Sequence, residues 1–120
     1  MKRLEEEAKK FMQSKNKSMI TADEYQEKAK GTAIYPKKDA LPYLSLGLVS
    51  EAGEVAGKVK KLIRDGTQSD VASEIGDVLW YCAMLASEVN VSLGKIMESN
   101  LEKLNDRKQR GKLQGSGDTR

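Results

Sequence analysis

Residues 71–89, VASEIGDVLWYCAMLASEV, form the most apolar stretch of the chain. One helical face carries Val71, Ile75, Val78, Cys82, Leu85 and Val89, and the other faces add Leu79, Trp80, Tyr81 and Met84. This pattern predicts a helix that Ser69 or Asp70 caps and that is buried nearly all round. Glu74 and Asp77 lie one turn apart near its start, where apolar surroundings give two carboxylates no obvious partner.

A long helix precedes this stretch. It is predicted to begin at about Leu41, with Pro42 tolerated in its first turn, and to run to Asp65, where Gly66 ends it. Its apolar stripe consists of Leu41, Leu44, Leu48, Val55, Val59 and Leu62. Because the loop after Gly66 is tight, the two long helices are expected to be antiparallel neighbours.

Two shorter helices flank this pair. Thr21, with Glu24 three residues on as in a capping box, starts a helix that reaches about Lys30. Ser92 caps a helix to about Gln109, with a core stripe of Leu93, Met97, Leu101 and Leu104. No strand-like alternation is present, so the predicted fold is all-α, a four-helix bundle.

The two ends of the chain form separate segments in this prediction. Residues 1–19 are a charged N-terminal extension, for which the pattern leaves a frayed helix and an irregular segment both open. Residues 20–110 form the all-α domain. Residues 111–120, GKLQGSGDTR, form a glycine-rich C-terminal tail.

The composition narrows the classes of function. The chain has 120 residues, about one domain, and a net charge of +3 that is too small and scattered to indicate nucleic-acid binding. Its longest apolar run, nine residues from Val78 to Ala86, falls short of the roughly 20 that span a bilayer. The start, MKRLEEEAKK, has no signal-peptide core. We therefore expect a cytoplasmic protein with neither membrane nor nucleic-acid partners.

The chain contains no histidine and one cysteine, Cys82. Catalysis by Ser-His-Asp or Cys-His groups is therefore excluded, and a structural zinc site has too few ligands. A metal ion bound here would be a hard cation held by oxygen atoms.

Carboxylates interrupt the apolar faces of both long helices. Glu51 occupies the turn missing from the first apolar stripe, and Glu54 follows at its edge. With Glu74 and Asp77 they make two i,i+3 pairs on antiparallel neighbours, so four carboxylates could surround one point. Unit charges about 4 Å apart repel by about 4 kcal/mol at an effective dielectric of about 20, so such a cluster needs a cation, and Mg²⁺ suits it. The alternative for Glu74 is an acid favoured by the helix dipole and paired with a lysine.

A cationic face runs along the last helix. Asn100, Lys103 and Arg107 have the spacing i, i+3, i+7, and Lys61 lies two turns beyond Glu54 in the long helix. Such donors suit the oxygens of a polyphosphate. The alternative is a solvated surface, which is what most basic helix faces are.

The aromatic pair Trp80 and Tyr81 also has two interpretations. The rings could stack on a nucleobase, or they could belong to the core of so apolar a helix. Cys82, on the buried face, is expected to be inert packing.

Two stretches resemble a known family when they are taken together. YLSLGLVSEAGEVAGKVKKLIRDG followed by SEIGDVLWY is similar to the MazG-like all-α nucleoside triphosphate pyrophosphohydrolases. That family's pattern, Glu-Glu-x-x-Glu, a spacer and Glu-x-x-Asp, falls on Glu51, Glu54, Glu74 and Asp77. The first Glu is Ser50 here, which leaves the number of metal ions per site open. The endings NLEKLNDR and GKLQGSGDTR resemble the small single-domain branch of the family.

The resemblance implies hydrolysis of a nucleoside or deoxynucleoside triphosphate to the monophosphate and pyrophosphate. The four carboxylates would bind Mg²⁺, with Mn²⁺ as a substitute, and one glutamate would orient or deprotonate the attacking water. Glu51 is our choice for that role, because it is the most buried of the acids by pattern and burial raises the pKa of a carboxyl group. Substrate-binding roles would fall to Lys61, Tyr81, Asn100, Lys103 and Arg107. The resemblance further implies a homodimer or homotetramer, which fits a helix too apolar for one small protomer to cover.

Three alternatives stay open at this stage. Phosphoribosyl-ATP pyrophosphohydrolase shares the chemistry and differs in substrate. A non-catalytic helical assembly module could keep the fold, but a scaffold gains stability when buried carboxylates are replaced by apolar groups. A helical nucleic-acid-binding protein is disfavoured by the low net charge.

Overall fold

The computed structural model describes residues 2–13, 19–66 and 70–120, and within these ranges the regular structure is helical. The described α-helices are α1 (Lys2–Met12), α2 (Ala22–Lys30), α3 (Ala40–Asp65), α4 (Val71–Glu88) and α5 (Leu93–Gln109). A short 3₁₀ helix, Lys37–Asp39, leads into α3. The all-α prediction is confirmed for this part of the chain, and the N-terminal segment, whose structure the pattern left open, contains a helix.

Local capping explains where α2 and α5 begin. The Thr21 hydroxyl accepts from the Glu24 backbone N–H at 3.1 Å, and the Glu24 carboxylate accepts from the Thr21 N–H at 3.3 Å. This is the predicted capping box, and it satisfies two helix-end donors at once. Ser92 likewise accepts from the Lys95 N–H at 3.1 Å and caps α5 as predicted.

The loop between α3 and α4 is bounded by two residues in left-handed conformation. Gly66, at φ 68°, ends α3 as predicted, and its N–H donates to Leu62 O at 2.8 Å. Asp70, at φ 51°, precedes α4 without a capping bond from its own side chain. Glu7 of α1 accepts from the Asp70 N–H at 2.9 Å instead, so α1 satisfies a donor at the start of α4. The alternative cap Ser69 lies outside the described residues.

The core lies between α3 and α4, which pack against each other along much of their length. Leu44, Ala83 and Met84 are fully buried there, and Ala29 of α2 and Leu93 of α5 close the cluster. An apolar centre of this kind holds the two long helices in a fixed relative position. That relative position decides which polar side chains of α3 and α4 meet.

Gln26 of α2 fixes the junction of α4 and α5. Its buried amide nitrogen donates to Ser87 Oγ at 3.0 Å and to Val91 O at 3.1 Å, and its amide oxygen accepts from the Leu93 N–H at 2.7 Å. A buried amide satisfied at both ends specifies one packing arrangement. It therefore holds α2 against the turn that leads into α5.

The predicted core stripe of α5 is only partly buried. Leu93 is buried, but the apolar side chains further along the helix are exposed: Met97, Leu101 and Leu104. The expectation that these three lie in the core of the chain is wrong. The start of α5 is what packs on α2, since Leu93 belongs to the core and the N–H groups of Leu93 and Gly94 donate to Gln26 and Asp23. On α4, the side chains of Ile75 and Leu79 are about half exposed. The prediction that α4 is buried nearly all round is therefore not met within one chain. No helix in the described part of the chain is long and apolar enough to cross a membrane.

Candidate metal centre

Three of the four predicted carboxylates converge between α3 and α4. Glu51, Glu74 and Asp77 each offer one oxygen atom, and these oxygens lie within 4.8 Å of one another. Glu51 comes from the middle of α3, whereas Glu74 and Asp77 come from the first two turns of α4. The antiparallel packing of the two helices brings the i,i+3 pair of α4 opposite Glu51.

Glu51 is the acid most affected by these surroundings. It is half-buried, and burial raises its pKa above the ordinary value, with further contributions from Asp77, Glu74 and Glu54 in that order. Both causes disfavour the charged carboxylate, since charge is poorly solvated here and other negative groups are near. Glu54 is exposed and lies outside the three-residue cluster.

Lys58 is the cation that approaches this cluster. Its Nζ lies 4.0 Å from Glu74 Oε1, and both side chains are largely buried. The alternative interpretation of Glu74, an acid paired with a lysine, is therefore partly realised. The positive charge of Lys58 nevertheless balances only one of the three carboxylates. The site therefore has the net negative charge that attracts a cation.

The chemistry of the donors fits a hard divalent cation. All three groups are carboxylates, and oxygen is the ligand that Mg²⁺ and Ca²⁺ prefer. A soft metal would be expected to have thiolate or imidazole ligands, and neither occurs in this cluster. Glu51, Glu74 and Asp77 are therefore the residues that would hold such an ion.

Aromatic rings border the carboxylates along α4. Tyr81 follows Asp77 by one turn, and its ring meets the Trp80 ring edge to face at 5.0 Å between centroids. Burial raises the pKa of Tyr81, and the charges of Tyr43, Glu51 and Asp77 add to the shift. The Trp80 Nε1–H donates to Thr32 Oγ1 at 2.8 Å, which fixes the indole.

Tyr25 of α2 is a neighbour of the site that the sequence did not reveal. Burial raises its pKa, and the negative charge of Asp77 is the next cause. The spacing of residues within α2 carries no signal for this approach, since it depends on how α2 packs on α4. Cys82 is half-buried and burial raises its pKa, as expected for inert packing.

The predicted phosphate-binding residues lie in several places. Lys61 is exposed on α3, near Asp65. Asn100 and Lys103 line a groove of about 420 Å³ on α5, whose other lining residues are Val91, Lys95, Ile96 and Ser99. Within the described ranges, the ion pairs of α5 run to Glu98, Asp106 and Asp118, and none reaches the carboxylate cluster.

Arg107 has a partner in the C-terminal tail. Although it is a cation, only 4% of it is exposed, and its Nη2 donates to the Asp118 backbone oxygen at 2.7 Å. The Asp118 carboxylate also lies 3.8 Å from both Arg107 Nη2 and Lys103 Nζ. In this conformation Arg107 holds the tail, and its predicted role toward phosphate stays a prediction.

Comparison with known proteins identifies the family. The family model described as the MazG nucleotide pyrophosphohydrolase domain matches residues 42–111, which include the carboxylate cluster and all of α5. The "Gene 37 protein" of Mycobacterium phage L5 is 46% identical over 111 residues, covering 82% of this chain and 97% of that relative. No solved structure matches. Domains of the matched family generally hydrolyse nucleotide pyrophosphate bonds and depend on a divalent metal. The chain therefore belongs to the family of MazG nucleotide pyrophosphohydrolase domains.

Proposed function

We propose that the protein hydrolyses nucleoside or deoxynucleoside triphosphates to the monophosphate and pyrophosphate, in a reaction that depends on Mg²⁺. The observation that carries this proposal is the convergence of three carboxylates from two helices, with oxygens within 4.8 Å of one another and one lysine nearby. Such a cluster is costly to keep in a folded chain unless it serves to bind a cation. The family membership supports the same reaction class.

Each carboxylate has a role in this proposal. Glu51, Glu74 and Asp77 hold the cation, and Glu51 also takes the proton from the attacking water. The raised pKa of Glu51 suits that role, because a carboxylate with a higher proton affinity is a better general base. Glu54 is an exposed neighbour that can complete the cation site or hold an outer-shell water. Bound Mg²⁺ would neutralise phosphate oxygens and make the α-phosphorus more susceptible to attack.

In the reaction the water oxygen bonds to the α-phosphorus and the bond to the bridging oxygen breaks. Pyrophosphate leaves with the electron pair of that bond, so positive groups must face its oxygens. Lys58 lies 4.0 Å from Glu74, and we add it to the predicted set of Lys61, Asn100, Lys103 and Arg107. Tyr81 and Tyr25 border the same site and can contact the nucleoside.

We also propose that the protein acts as a homodimer or homotetramer. The support is the apolar surface that one chain leaves exposed on its three longest helices, including Leu46 of α3, Leu79 of α4 and Leu101 of α5. Surface of this kind is typical of an interface between subunits. A second subunit could bring the cations of its α5 toward the carboxylates.

The test is pyrophosphate release from a panel of NTPs and dNTPs, measured with Mg²⁺, with Mn²⁺ and with a chelator. Glu51→Gln and Asp77→Asn should each lower turnover by about 100-fold or more, since each removes a charge that the reaction requires. Glu98→Gln, an exposed acid that pairs with Lys95, is the matched control and should keep full activity. Circular dichroism should give the same helix content for all variants.

Two results would contradict the proposal. Wild-type turnover in both acid variants would remove these carboxylates from the site. Absence of turnover across the panel, with a folded protein, would also contradict it. Phosphoribosyl-ATP would then be tested as the substrate, and failure with that compound would favour a non-catalytic assembly role.

A further inference from the structure

We infer that the contact between Gly47 and Tyr81 sets the spacing of the two carboxylate-bearing helices, so that Tyr81 is a positioning residue for the metal centre. The inference rests on the proposed function, because it concerns how that centre is held in shape. It gives Tyr81 a role in which its ring, and not its hydroxyl, is required.

The contact lies one helical turn from the carboxylates on both helices. Gly47 precedes Glu51 by four residues on α3, and Tyr81 follows Asp77 by four residues on α4. Residues four apart share a face of a helix. Because α3 and α4 are antiparallel, the Gly47–Tyr81 contact and the Glu51–Asp77 approach are successive levels of one helix–helix interface.

Tyr81 packs against α3 where a side chain is missing. A methyl group built on Gly47 would lie 2.7 Å from Cδ1 of Tyr81 and closer still to Cε1 and Cζ. Real Cβ atoms essentially never approach other atoms within 3.0 Å. Gly47 is thus required for space, since its backbone is ordinary helix and demands no special conformation.

Trp80 restricts the movement of the Tyr81 ring on one side. Trp80 meets it edge to face, and Trp80 is itself held by the Thr32 hydroxyl and by the ring of Tyr35, 6.5 Å away. Any side chain at position 47 must therefore push the ring out of this arrangement or push the helices apart. Movement of the helices changes the separation between Glu51 and Asp77 directly. Displacement of the ring removes the packing that holds the helices at that separation.

Two other glycines of α3 provide controls within the same helix. A methyl group on Gly53 or Gly57 would meet nothing within 4 Å. Gly53→Ala is the closer match, because it lies two residues from Glu51 and has the same chemical change. It should leave the site intact while raising helix propensity, since alanine is favoured over glycine in a helix.

The experiment measures Mg²⁺ alone, by isothermal titration calorimetry, on the full chain. Gly47→Ala should weaken Mg²⁺ binding about tenfold or more, and Gly53→Ala should not change it by more than about twofold. In a Tyr81→Ala background, adding Gly47→Ala should have almost no further effect, because the ring it collides with is gone. Tyr81→Phe should bind Mg²⁺ like the wild type, since it keeps the ring.

Turnover provides a second readout. In Gly47→Ala the Mg²⁺ concentration for half-maximal pyrophosphate release should rise, and saturating Mg²⁺ should restore most of the rate. Because Mg²⁺ binding would also stabilise the folded state of a merely destabilised variant, circular dichroism should show that Gly47→Ala is fully folded at every Mg²⁺ concentration used. If circular dichroism shows that Gly47→Ala does not fold, Tyr81→Leu takes its place, and it should weaken Mg²⁺ binding where Tyr81→Phe does not.

Failure of the proposed function and failure of the positioning role of Tyr81 give different results. If the wild type binds no Mg²⁺ and releases no pyrophosphate, the proposed function falls, and the positioning role with it. If the wild type binds Mg²⁺ but Gly47→Ala matches Gly53→Ala, or Tyr81→Leu matches Tyr81→Phe, only the positioning role is overturned. Equal effects of Gly47→Ala with and without the Tyr81 ring would overturn it too.

Discussion

Tyr35 shows how one buried side chain joins distant parts of the chain. Its hydroxyl donates to Glu88 Oε2 at 2.6 Å, which links the loop before α3 to the last turn of α4. Lys37 Nζ lies 3.3 Å from the same oxygen and 4.9 Å from the centroid of the Tyr35 ring. The Tyr35 hydrogen bond, followed by that of Lys37, lowers the pKa of Glu88 below its ordinary value.

This arrangement makes stability depend on pH in a definite direction. Because the pKa of Glu88 is lower in the folded than in the unfolded chain, its contribution is complete above the unfolded value of about 4.3. The contribution is then lost as the pH falls through the folded value. Glu88→Gln should therefore reduce the loss of unfolding free energy in acid, as measured by urea unfolding between neutral and acidic pH.

The control for this measurement is Glu98→Gln, which removes an exposed carboxylate paired with Lys95. It should lose stability in acid as the wild type does. Equal acid sensitivity of Glu88→Gln and the wild type would show that the ionisation of Glu88 does not contribute to the pH dependence of stability.

The C-terminal tail is a short element that charged side chains fold back onto the end of α5. Arg107 donates to the Asp118 backbone oxygen at 2.7 Å, and Arg110 donates to the Arg120 backbone oxygen at 2.8 Å. The Arg120 guanidinium in turn donates to three carbonyl oxygens, those of Lys112, Leu113 and Gly117. Arginine suits this role because its planar group offers several donors at once.

Substitutions at the two partners that join α5 to the tail, Arg107 and Asp118, should change the free energy of unfolding by unequal amounts. Arg107→Met removes a buried donor and leaves the Asp118 carbonyl without it, which should cost about 1–3 kcal/mol of unfolding free energy. Asp118→Asn changes a side chain that is 90% exposed and 3.8 Å from Arg107, and should cost under about 0.5 kcal/mol. Chemical unfolding of the two variants beside the wild type checks this. A cost for Asp118→Asn as large as that for Arg107→Met would mean that the carboxylate, not the backbone oxygen, anchors the tail.

As a whole, the single chain encloses a small core and exposes much apolar surface. The buried cluster is centred on Leu44, Ala83 and Met84, while Leu46 and Val49 on α3 and Leu101 on α5 face outward. A chain of this size buries a smaller fraction of its surface than a large domain does. Association of two or more copies would remove the exposed apolar surface from water.

Oligomeric state can be measured by sedimentation velocity or by light scattering after gel filtration. The wild type should have the mass of at least two chains. Leu46→Lys, at a position 72% exposed in the single chain, should shift it toward the monomer, because a charge is costly to bury in an interface. Ile34→Lys is the control, at a position that is 96% exposed and lies outside the helices, and it should keep the wild-type mass. A monomeric wild type would refute the proposed assembly.

The sequence predicted the helices well because the signals are local. The capping box at Thr21, the Ser92 cap and the glycine stop at Gly66 each act over a few residues, and all three are present. The spacing of Glu74 and Asp77 likewise puts both on one face of α4 whatever surrounds it. These features depend on helix geometry and short-range hydrogen bonds, which the order of residues determines.

Which faces meet was decided by the tertiary structure. Packing of α3 on α4 brings Glu51 to Glu74 and Asp77 while leaving Glu54 outside the cluster, although the pattern predicted that all four acids would surround one point. The same packing sets the Tyr81 ring against Gly47. Hydrophobic periodicity predicts that a helix has an apolar face. It does not predict which neighbour covers that face, since the hydrophobic effect is non-directional. The exposed stripe of α5 and the buried Arg107 follow from that choice of neighbours, for which no local signal exists.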